Sequence, residues 1–502
     1  MIEAIEAYLQ HMARHGDHAG GVIAAAESLA DRPWEVVRVA GLLARCKPAV
    51  ASKDIGLSRR LSITGPSSHA AAFKIDKGQI YPQLDHVGRR SRGAFDTPVD
   101  MARRVVSSAM AAVDGPIQTC LDTACGTGAF LLAAHEAGVP EVYGTDIDET
   151  ALAVAQIAVP SARLLCEDAL KYGPPVDLII GNPPFVPPER QSAELRGELR
   201  RRYPWLRGRF DLAVPFAAAA VERVRPGGAA GLVLPHSVMV QPYGAVLRRR
   251  WLERHRIADL SGPHPFPGAA VKVMLVVLGV KQSRQPLPVY GIEPDELLRI
   301  DNAPLDPDLR PGDVMLVEKV RSASIELGDL ATIDTGVVAH GPHGGKARLI
   351  HDEPGEGRVR YADARDFFEG KRSWLQYEPS EMHRPKDPDL FERPKIVIQR
   401  LRGRGPVRAQ IDVEGVYVGH TCTVVVPESF DLAIVRMLDL IRSPLIDGLT
   451  RIEHGQRLDL YPRDVRRFPV PKAWLKNPKL PLEQAFGLSV AEIERLIGLA
   501  GV

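Results

Sequence analysis

The sequence lacks the long hydrophobic runs and the cysteine clusters that are typical of membrane proteins and of secreted, disulfide-rich proteins. Its longest uncharged apolar run, residues 212–221, spans ten residues and includes a proline, whereas a membrane helix needs about 20. The five cysteines, at positions 46, 120, 125, 166 and 422, form no Cys-x-x-Cys pair and no spacing typical of zinc sites. We therefore expect a cytoplasmic protein with reduced thiols and without a metal site.

An excess of charge is also missing. The chain has 64 Lys and Arg residues against 62 Asp and Glu residues, a formal net charge of +2 over 502 residues. Nucleic-acid binding that is driven by overall charge is therefore excluded, and any basic contact surface has to be local. The length is sufficient for two or three domains with a large buried core.

We expect neither a signal peptide nor a transit sequence, because the first residues form an amphipathic helical pattern that contains Glu3 and Glu6. Helical periodicity recurs around residues 34–43. We predict an N-terminal helical extension over residues 1–90, and its sequence indicates no chemistry.

The tetrapeptide Asn182-Pro183-Pro184-Phe185 follows the apolar run 176–181. The amide oxygen of Asn182 and the carbonyl of Pro183 can accept both hydrogens of an exocyclic amine, which concentrates the lone pair for attack on a methyl donor. The two prolines fix the φ angles of the turn, and Phe185 offers a flat face to an unpaired base. The alternative interpretation is an ordinary turn that ends a strand.

A glycine loop lies upstream, in the segment 121–131. Gly126 and Gly128 let the backbone approach a ligand closely, and Asp146 follows the next predicted strand, where it can bind a ribose diol. The third glycine of a dinucleotide-binding fingerprint is absent, since Leu131 stands at that position. This disfavours a nicotinamide cofactor. An acidic residue at a strand end can also be only a helix cap.

Apolar strands near residues 119–123, 141–145, 162–165, 177–180 and 228–234 alternate with helical stretches. This alternation predicts an α/β fold with a doubly wound sheet. Two further strand candidates, at 256–260 and 271–280, resemble an antiparallel hairpin that closes such a sheet. We predict this domain over residues 91–285, a linker over 286–315 and a second domain over 316–502.

Together with Gly93–Pro98 upstream, the glycine loop and the tetrapeptide resemble class I S-adenosylmethionine-dependent methyltransferases. Within this class they resemble the gamma-class N6-adenine DNA methyltransferases of TaqI-like restriction-modification systems. The resemblance covers most of residues 90–475. It implies a Rossmann-like sheet, S-adenosyl-L-methionine as cofactor, double-stranded DNA as partner and an α+β target-recognition domain over 316–502. A separately encoded restriction endonuclease is a further partner that the resemblance leaves open.

The resemblance also implies roles for individual residues. The cofactor site would comprise Thr97, Asp122, Ala124, Gly126, Gly128, Asp146, Ile147 and Asp168. Asp168 would accept a hydrogen bond from the cofactor's adenine amine, although Ala169 stands where the family often has a larger apolar residue. The catalytic residues would be Asn182, Pro183, Pro184 and Phe185. Phe266 would lie beside the flipped base, or it caps the sheet edge.

Two arginine-rich segments are candidates for contact with DNA. Residues 190–209 include seven arginines against two glutamates, with Tyr203 and Trp205 between them. Arg200 and Arg202 are the phosphate contacts that we predict there. Residues 393–411 include six basic residues and no acidic residue. We predict that the segments 394–400 and 415–421 are paired strands around a basic turn, and the expected DNA contacts of this region are Arg400, Arg402, Arg404 and Arg408. A solvated surface is the alternative for both segments.

Two other functions stay open at this point. The chain could methylate another amine, such as cytosine N4, a guanine amine of RNA or a glutamine side chain, or it could be a DNA-binding accessory protein that has lost its activity. The tetrapeptide favours adenine, because cytosine-N4 enzymes more often have Ser at the first position. A cytosine-C5 mechanism is disfavoured, because the chain has no Pro-Cys dipeptide to supply the nucleophile.

Overall fold

The computed structural model describes most of the chain as two compact units, Met1–Pro307 and Asp308–Val502. The described residues are 7–8, 10–11, 14–15, 18–37, 97–170, 175–266, 271–280, 291–339, 348–382, 384–401, 405–428, 432–457 and 459–501. The division between the units falls within 286–315, the predicted linker. In its described part this segment contains the fully buried residues Ile292 and Leu297, so it is packed. The domain bounds stay a prediction.

Seven strands form one sheet in the first unit. They are β1 (Thr119–Asp122), β2 (Glu141–Asp146), β3 (Arg163–Cys166), β4 (Val176–Gly181), β5 (Val224–Pro235), β6 (Arg256–Pro265) and β7 (Lys272–Gly279). Their order is β3-β2-β1-β4-β5-β7-β6. Neighbours among β1 to β5 run parallel, and β7 runs antiparallel to both β5 and β6. The predicted doubly wound sheet with a closing antiparallel hairpin is confirmed.

Nine helices accompany this sheet in the described part of the unit. They are α1 (His18–Glu27), α2 (Val99–Ala111), α3 (Ala129–Glu136), α4 (Glu149–Ala158), α5 (Ala193–Arg202), α6 (Ala213–Glu222), α7 (His236–Val240), α8 (Ala245–Arg254) and α9 (Pro294–Leu297). The central strand β4 is buried along residues 178–181, as expected for a strand inside a covered parallel sheet. No helix among the described residues is long and apolar enough to cross a membrane.

The described part of the predicted N-terminal extension packs on the same unit. Helix α1 lies against α4. Trp34 donates its indole N–H to Glu136 at 2.6 Å, and Arg103 makes an ion pair with the same carboxylate at 3.0 Å. The Arg103 guanidinium also lies 4.7 Å from the centre of the Trp34 ring. The predicted helices around 2–12 and 34–43 fall largely outside the described residues.

Helix α8 is joined to the end of the unit by a fully buried arginine. Arg248 is 0% exposed and donates to the carbonyls of Ala303 at 3.0 Å and Asn302 at 2.6 Å. It also donates to the carbonyls of Val238 and, at 3.0 Å, of Gln241. Burial lowers the pKa of Arg248 to about 9. The charge is held in the interior because hydrogen bonds satisfy it on several sides.

We expect Arg248→Met to lower the free energy of unfolding by at least about 3 kcal/mol, because several buried carbonyls lose their donor at ~1–3 kcal/mol each. Urea denaturation of the two proteins measures the difference. The matched control is Arg249→Met, since Arg249 is half-buried and donates at 3.0 Å to the Leu298 carbonyl. A variant at position 248 that is as stable as the wild type would contradict this interpretation.

In its described residues the second unit has an α+β fold with two four-stranded sheets and a two-stranded sheet. Its strands are β8 (Ser324–Glu326), β9 (Ala331–Thr335), β10 (Ile350–His351), β11 (Arg358–Ala362), β12 (Ser373–Gln376), β13 (Lys395–Gln399), β14 (Ala409–Asp412), β15 (Tyr417–Val418), β16 (Cys422–Pro427) and β17 (Pro469–Pro471). The sheet orders are β10-β12-β11-β15, β14-β13-β16-β9 and β17-β8.

Helices follow or separate these strands. They are α10 (Asp313–Ser322), α11 (Ala364–Phe368), α12 (Asp389–Glu392), α13 (Ile434–Arg442), α14 (Pro444–His454), α15 (Pro462–Arg466), α16 (Lys472–Lys476), α17 (Leu482–Ala485) and α18 (Val490–Ala500). The two largest, α14 and α18, cross closely, because a Cβ on Gly448 would come within 2.2 Å of the Leu496 carbonyl oxygen. Glycine at this crossing lets the two backbones touch.

The predicted pairing of segments 394–400 and 415–421 is wrong. Strand β13 pairs with β14 and β16, whereas β15 pairs with β11. The sequence prediction missed β14 because its four residues lie at the end of the basic segment and were assigned to the turn. A buried ion pair fixes the β13–β14 register: Lys395, 0% exposed, contacts the carboxylate of Asp412.

Candidate active site

The strand order brings several predicted site residues to one edge of the sheet. The connections run in opposite directions from β1 and β4, which are neighbours, and a crevice opens outside the carboxyl ends of parallel strands at such a point. Asp122 ends β1, Asp146 ends β2, and Asn182 directly follows β4. Residues that are far apart in the sequence therefore meet at one crevice.

A cavity of about 370 Å³ occupies this crevice. It is lined by most of the predicted cofactor and catalytic residues, which are Thr97, Asp122, Ala124, Gly126, Asp146, Ile147, Asp168, Asn182 and Pro184. Three other predicted residues that the structure describes, Gly128, Pro183 and Phe185, lie outside the lining. The structure thus brings the two motifs together in one cavity.

The Asp146 carboxylate is oriented by the backbone. Its Oδ2 accepts the N–H of Gly126 at 2.8 Å, and its Oδ1 accepts the N–H of Asp148 at 2.9 Å. The next side chain, Ile147, is 59% exposed although it is large and apolar, and it lines the cavity. A fixed acceptor therefore stands beside an uncovered apolar surface, an arrangement that suits a ribose with its attached base.

Asp122 is a buried carboxyl group in the cavity lining. It is 1% exposed, and burial raises its pKa to about 8, with a smaller contribution from the charge of Asp146. The N–H of Ala124 donates to the Oδ1 of Asp122 at 3.1 Å, and this hydrogen bond lowers the pKa by less than burial raises it. Burial therefore disfavours the ionised form of this carboxyl group, and a positive charge bound beside it would stabilise the carboxylate.

At two positions of this edge, a side chain larger than that of glycine would crowd a neighbouring residue. Gly181 has φ +155°, and a Cβ there would lie 2.8 Å from the Asp122 Oδ1. Gly128, with φ +93°, precedes α3, and a Cβ there would lie 3.1 Å from the Cβ of Ala155 on α4. Gly128 therefore allows two helices to pack, and its predicted cofactor contact stays a prediction.

The amide of Asn182 has a defined orientation. Its Nδ2 donates to the hydroxyl oxygen of Thr97 at 3.2 Å. The amide oxygen is therefore the acceptor at the other end of the side chain, as the predicted role in binding an amine requires. Thr97 itself is 8% exposed and lines the cavity, so the residue predicted for the cofactor also positions the predicted catalytic amide.

Phe185 and Phe266 are in contact. Their ring centres are 6.1 Å apart at an interplanar angle of 64°, and the two side chains are 6% and 4% exposed. This edge-to-face arrangement is a favourable aromatic pair. It brings together the two aromatic residues that the resemblance assigned to the target base.

The third acidic position also lies at the cavity. Asp168 accepts the N–H of Leu170 at 3.0 Å, which orients its carboxylate in the loop after β3. Ala169 is 4% exposed and lines the cavity next to it. The small side chain at this position contributes little apolar surface, in agreement with the departure from the family that the sequence shows there.

Several residues of the cavity were not predicted from the sequence. Leu212, Phe216, Gln191 and Leu195 line it. Leu212 and Phe216 are four residues apart at the start of α6, so they share one helix face. That spacing was a usable signal. Gln191 and Leu195 belong to a segment that was assigned to DNA because of its arginines.

The predicted DNA contacts differ in their surroundings. Arg200 and Arg202 are exposed in the last turn of α5, where positive charges also favour the helix dipole. Arg400 is half-buried, donates to the His420 carbonyl at 3.0 Å and lies 4.9 Å from the centre of the Tyr461 ring, so it is part of the fold. Arg402 and Arg404 lie outside the described residues.

No group of three or more His, Cys, Asp or Glu side chains that could hold a metal ion occurs among the described residues. The described cysteines at 120, 125, 166 and 422 are free thiols. Burial raises the pKa of the Cys125 thiol well above its ordinary value. This cavity-lining cysteine is therefore a protonated, apolar side chain at neutral pH.

Comparison with protein families gives two matches. Residues 175–261 match the model of the Eco57I restriction-modification methylase, and residues 121–178 match a methyltransferase-domain model. The first match contains the segment of the tetrapeptide. The second begins at the glycine loop. The two matches together span residues 121–261, from the end of β1 into β6.

Comparison with curated proteins gives type II methyltransferases. The chain is 26% identical over 344 residues to M.TthHB8I of Thermus thermophilus, with 64% of this chain and 77% of the relative covered. It is 26% identical over 224 residues to M.BanIII of Aneurinibacillus aneurinilyticus, with 38% of each chain covered. It is 35% identical over 81 residues to M.PaeR7I of Pseudomonas aeruginosa, which covers 16% of this chain and 14% of the relative.

Among solved structures, the type IIL restriction-modification enzyme MmeI resembles the chain with a TM-score of 0.50 at 13% identity. The likeness covers 80% of this chain and 71% of MmeI. It concerns the fold, which is the α/β methyltransferase fold with a mixed central sheet. The matched models and the curated relatives show that this part of the chain is similar to type II restriction-modification methyltransferases.

Proposed function

We propose that the chain is a site-specific DNA methyltransferase that transfers the methyl group of S-adenosylmethionine to N6 of an adenine turned out of duplex DNA. The observation that carries this proposal is the shared cavity: Asn182 and Pro184 line it together with Asp122, Asp146 and Ile147. An acceptor for an amine therefore adjoins a pocket with the polar and apolar groups of a nucleoside site.

The cavity residues fit the proposed cofactor. The Asp146 carboxylate is oriented for the ribose hydroxyls, and the uncovered Ile147 side chain offers a surface to the adenine ring. The buried Asp122 carboxyl group favours a positive charge nearby. When bound, S-adenosylmethionine supplies an electrophilic methyl group carried on a sulfonium.

The chain's own groups prepare the target amine. The Asn182 amide oxygen and the Pro183 carbonyl accept the two N6 hydrogens, so the nitrogen lone pair is directed to the methyl group. Phe185, supported by Phe266, stacks the extruded adenine. Preorganised acceptors stabilise the positive charge that develops on nitrogen during transfer. The nitrogen attacks directly, and the protein forms no covalent intermediate.

DNA is the substrate that the family resemblance favours. The exposed arginines at the end of α5, including Arg200 and Arg202, follow Phe185 closely in the sequence and would contact phosphates beside the flipped nucleotide. The second unit would read the target sequence, with Arg402 and Arg404 as contacts. Because Arg400 is tied to Tyr461 and His420, we assign it to the support of this region.

Nucleoside mass spectrometry tests the proposal. The purified chain is incubated with isotopically labelled S-adenosylmethionine and genomic DNA, and the DNA is then digested to nucleosides. We expect labelled N6-methyladenine. Labelled N4-methylcytosine would contradict the assignment of adenine N6 and identify cytosine N4 as the target amine. Label in RNA or protein, with none in DNA, would identify an amine of that polymer as the target. Cofactor binding without transfer to any of these would indicate an accessory protein. In a restriction-modification system, a separately encoded endonuclease would cut the same sequence when it is unmethylated.

A further inference from the structure

The loop that carries the tetrapeptide has few hydrogen-bond donors of its own. Four of the seven residues from 182 to 188 are prolines, which have no backbone N–H. The loop contains no helix or strand between β4 and residue 188. Its position therefore depends on the groups that hold the few remaining backbone donors and acceptors.

Val186 is the residue through which the loop is held. It directly follows Phe185 and is 5% exposed. Its carbonyl accepts the N–H of Leu212 at 3.0 Å and the side-chain amide of Gln191 at 2.8 Å. Its own N–H donates to the carboxylate of Asp211. The N–H and the carbonyl of Val186 are thus both hydrogen-bonded, and all of their partners lie outside the tetrapeptide.

The Gln191 amide joins two segments. Its Nε2 donates to the Val186 carbonyl and to the Phe210 carbonyl, each at 2.8 Å. The side chain is 5% exposed, and its Oε1 is buried without a hydrogen-bond partner among the described residues. A flipped amide would direct its oxygen at two carbonyl oxygens, so the orientation is fixed. Both N–H groups of the Gln191 amide are therefore engaged, one with each carbonyl.

We propose that Gln191 is a positioning residue for methyl transfer. Its amide links the loop of Asn182 and Phe185 to the segment 210–212, and thereby fixes the amine acceptor and the stacking ring relative to the cofactor cavity. This inference rests on the proposed function. Transfer requires the reacting atoms to be close to their productive arrangement, and a displacement of about 1 Å can cost roughly 100-fold in rate.

The structure offers a matched pair of variants. Gln191→Met retains the length and removes the donors. Gln156 also uses its Nε2 to bind backbone carbonyls, among them that of Pro160 at 2.9 Å, but it lies on α4 outside the cavity lining. Gln156→Met therefore controls for the loss of an amide-to-carbonyl contact elsewhere in the same unit.

The first test is single-turnover and steady-state methylation of DNA. For Gln191→Met we expect kcat to fall roughly 10- to 100-fold, while the KM for S-adenosylmethionine changes by less than about threefold. Gln156→Met should retain the wild-type kcat. The proposal is overturned by a wild-type kcat in Gln191→Met. It is also overturned if cofactor KM and thermal stability deteriorate in parallel with kcat, since that result means a structural role or a direct cofactor contact.

The second test is hydrogen exchange of the peptides that cover residues 185–195, measured without DNA. We expect faster exchange at Val186 in Gln191→Met than in the wild type or in Gln156→Met. Unchanged exchange would overturn the proposed link. If the wild-type protein transfers no methyl group to adenine in DNA, the proposed function fails, and the exchange data alone then decide whether Gln191 holds the loop.

Discussion

Asn182→Ala is expected to lower the rate of methyl transfer to DNA severely and to leave cofactor binding nearly unchanged. The substitution removes the side-chain acceptor for the adenine amine, and loss of one preorganised hydrogen-bonding group typically lowers kcat by about 100- to 1,000-fold. The carboxyl groups of Asp122 and Asp146, which line the part of the cavity that we assign to the cofactor, are not altered. Label transfer to DNA and calorimetric titration with S-adenosylmethionine measure the two effects separately.

A second variant identifies which atom of Asn182 is required. Asn182→Asp retains an acceptor oxygen but loses the N–H group that donates to Thr97 at 3.2 Å. We expect its rate to lie between those of the wild type and Asn182→Ala, because the acceptor is present but less well oriented. Activity of Asn182→Ala close to that of the wild type would remove Asn182 from the mechanism. Loss of cofactor binding in that variant would assign Asn182 to the cofactor site instead.

Asp122→Asn is expected to stabilise the protein without cofactor. Burial, together with the charge of Asp146, raises the Asp122 pKa from 3.8 to about 8. A raised carboxyl pKa means that the folded state binds the proton more tightly, so ionisation removes stability as the pH rises from about 4 to about 8. The uncharged amide avoids this cost, which amounts to roughly 1.4 kcal/mol for each tenfold change in the acid dissociation constant. The gain in Tm should therefore grow between pH 4 and pH 8.

Asp177→Asn provides a control of the opposite sign. Burial alone would raise the pKa of Asp177, but hydrogen bonds from Gln118, Thr119 and Arg225 outweigh it and the pKa is lowered. A carboxyl group whose pKa is lowered by folding stabilises the folded state at pH values above its pKa in the unfolded chain. This stability is lost as the pH falls towards the lowered pKa of the folded state. Asp177→Asn should therefore be less stable than the wild type at neutral pH. Thermal melts in which both substitutions change the stability in the same direction would contradict the conclusion that burial disfavours the ionised form of Asp122.

The same carboxyl group, Asp122, makes cofactor binding dependent on pH. A sulfonium beside Asp122 would lower the pKa of this carboxyl group, so binding releases protons between the lowered pKa of the bound state and about pH 8. The affinity for S-adenosylmethionine should rise up to that pH and then level off. The demethylated product has no sulfonium and should show a weaker dependence. Asp122→Asn should remove it. Calorimetric Kd values that do not change between about pH 6.5 and 8.5 would exclude this linkage.

Much of the first unit could be predicted from local sequence patterns. The strand that precedes Asn182 and the strand that ends at Asp122 are short apolar runs followed by turn residues, and a parallel α/β sheet brings such strand ends to one edge. The positions of Asp146, Asn182 and Thr97 at one cavity follow from this rule together with the family resemblance. These features are encoded within a few residues of each functional side chain.

Other features depend on contacts that a local pattern does not contain. Gln191 was not recognised because it acts on the backbone of Val186 and Phe210, and any residue type can supply a backbone carbonyl. Strands β13 and β15 were paired wrongly because β-branched runs do not indicate their partners. The partner of β13 within the basic segment, β14, became apparent only from the register with Asp412 and Ile411.

The most direct test of the proposed function is single-molecule sequencing of DNA from cells that express the chain, compared with cells that express Asn182→Ala. We predict N6-methyladenine at one sequence motif in the first sample and its absence in the second. Methylated cytosine in place of adenine would contradict the assignment of the amine. Adenine methylation that is equally abundant with Asn182→Ala would contradict the role of the cavity at the end of β4.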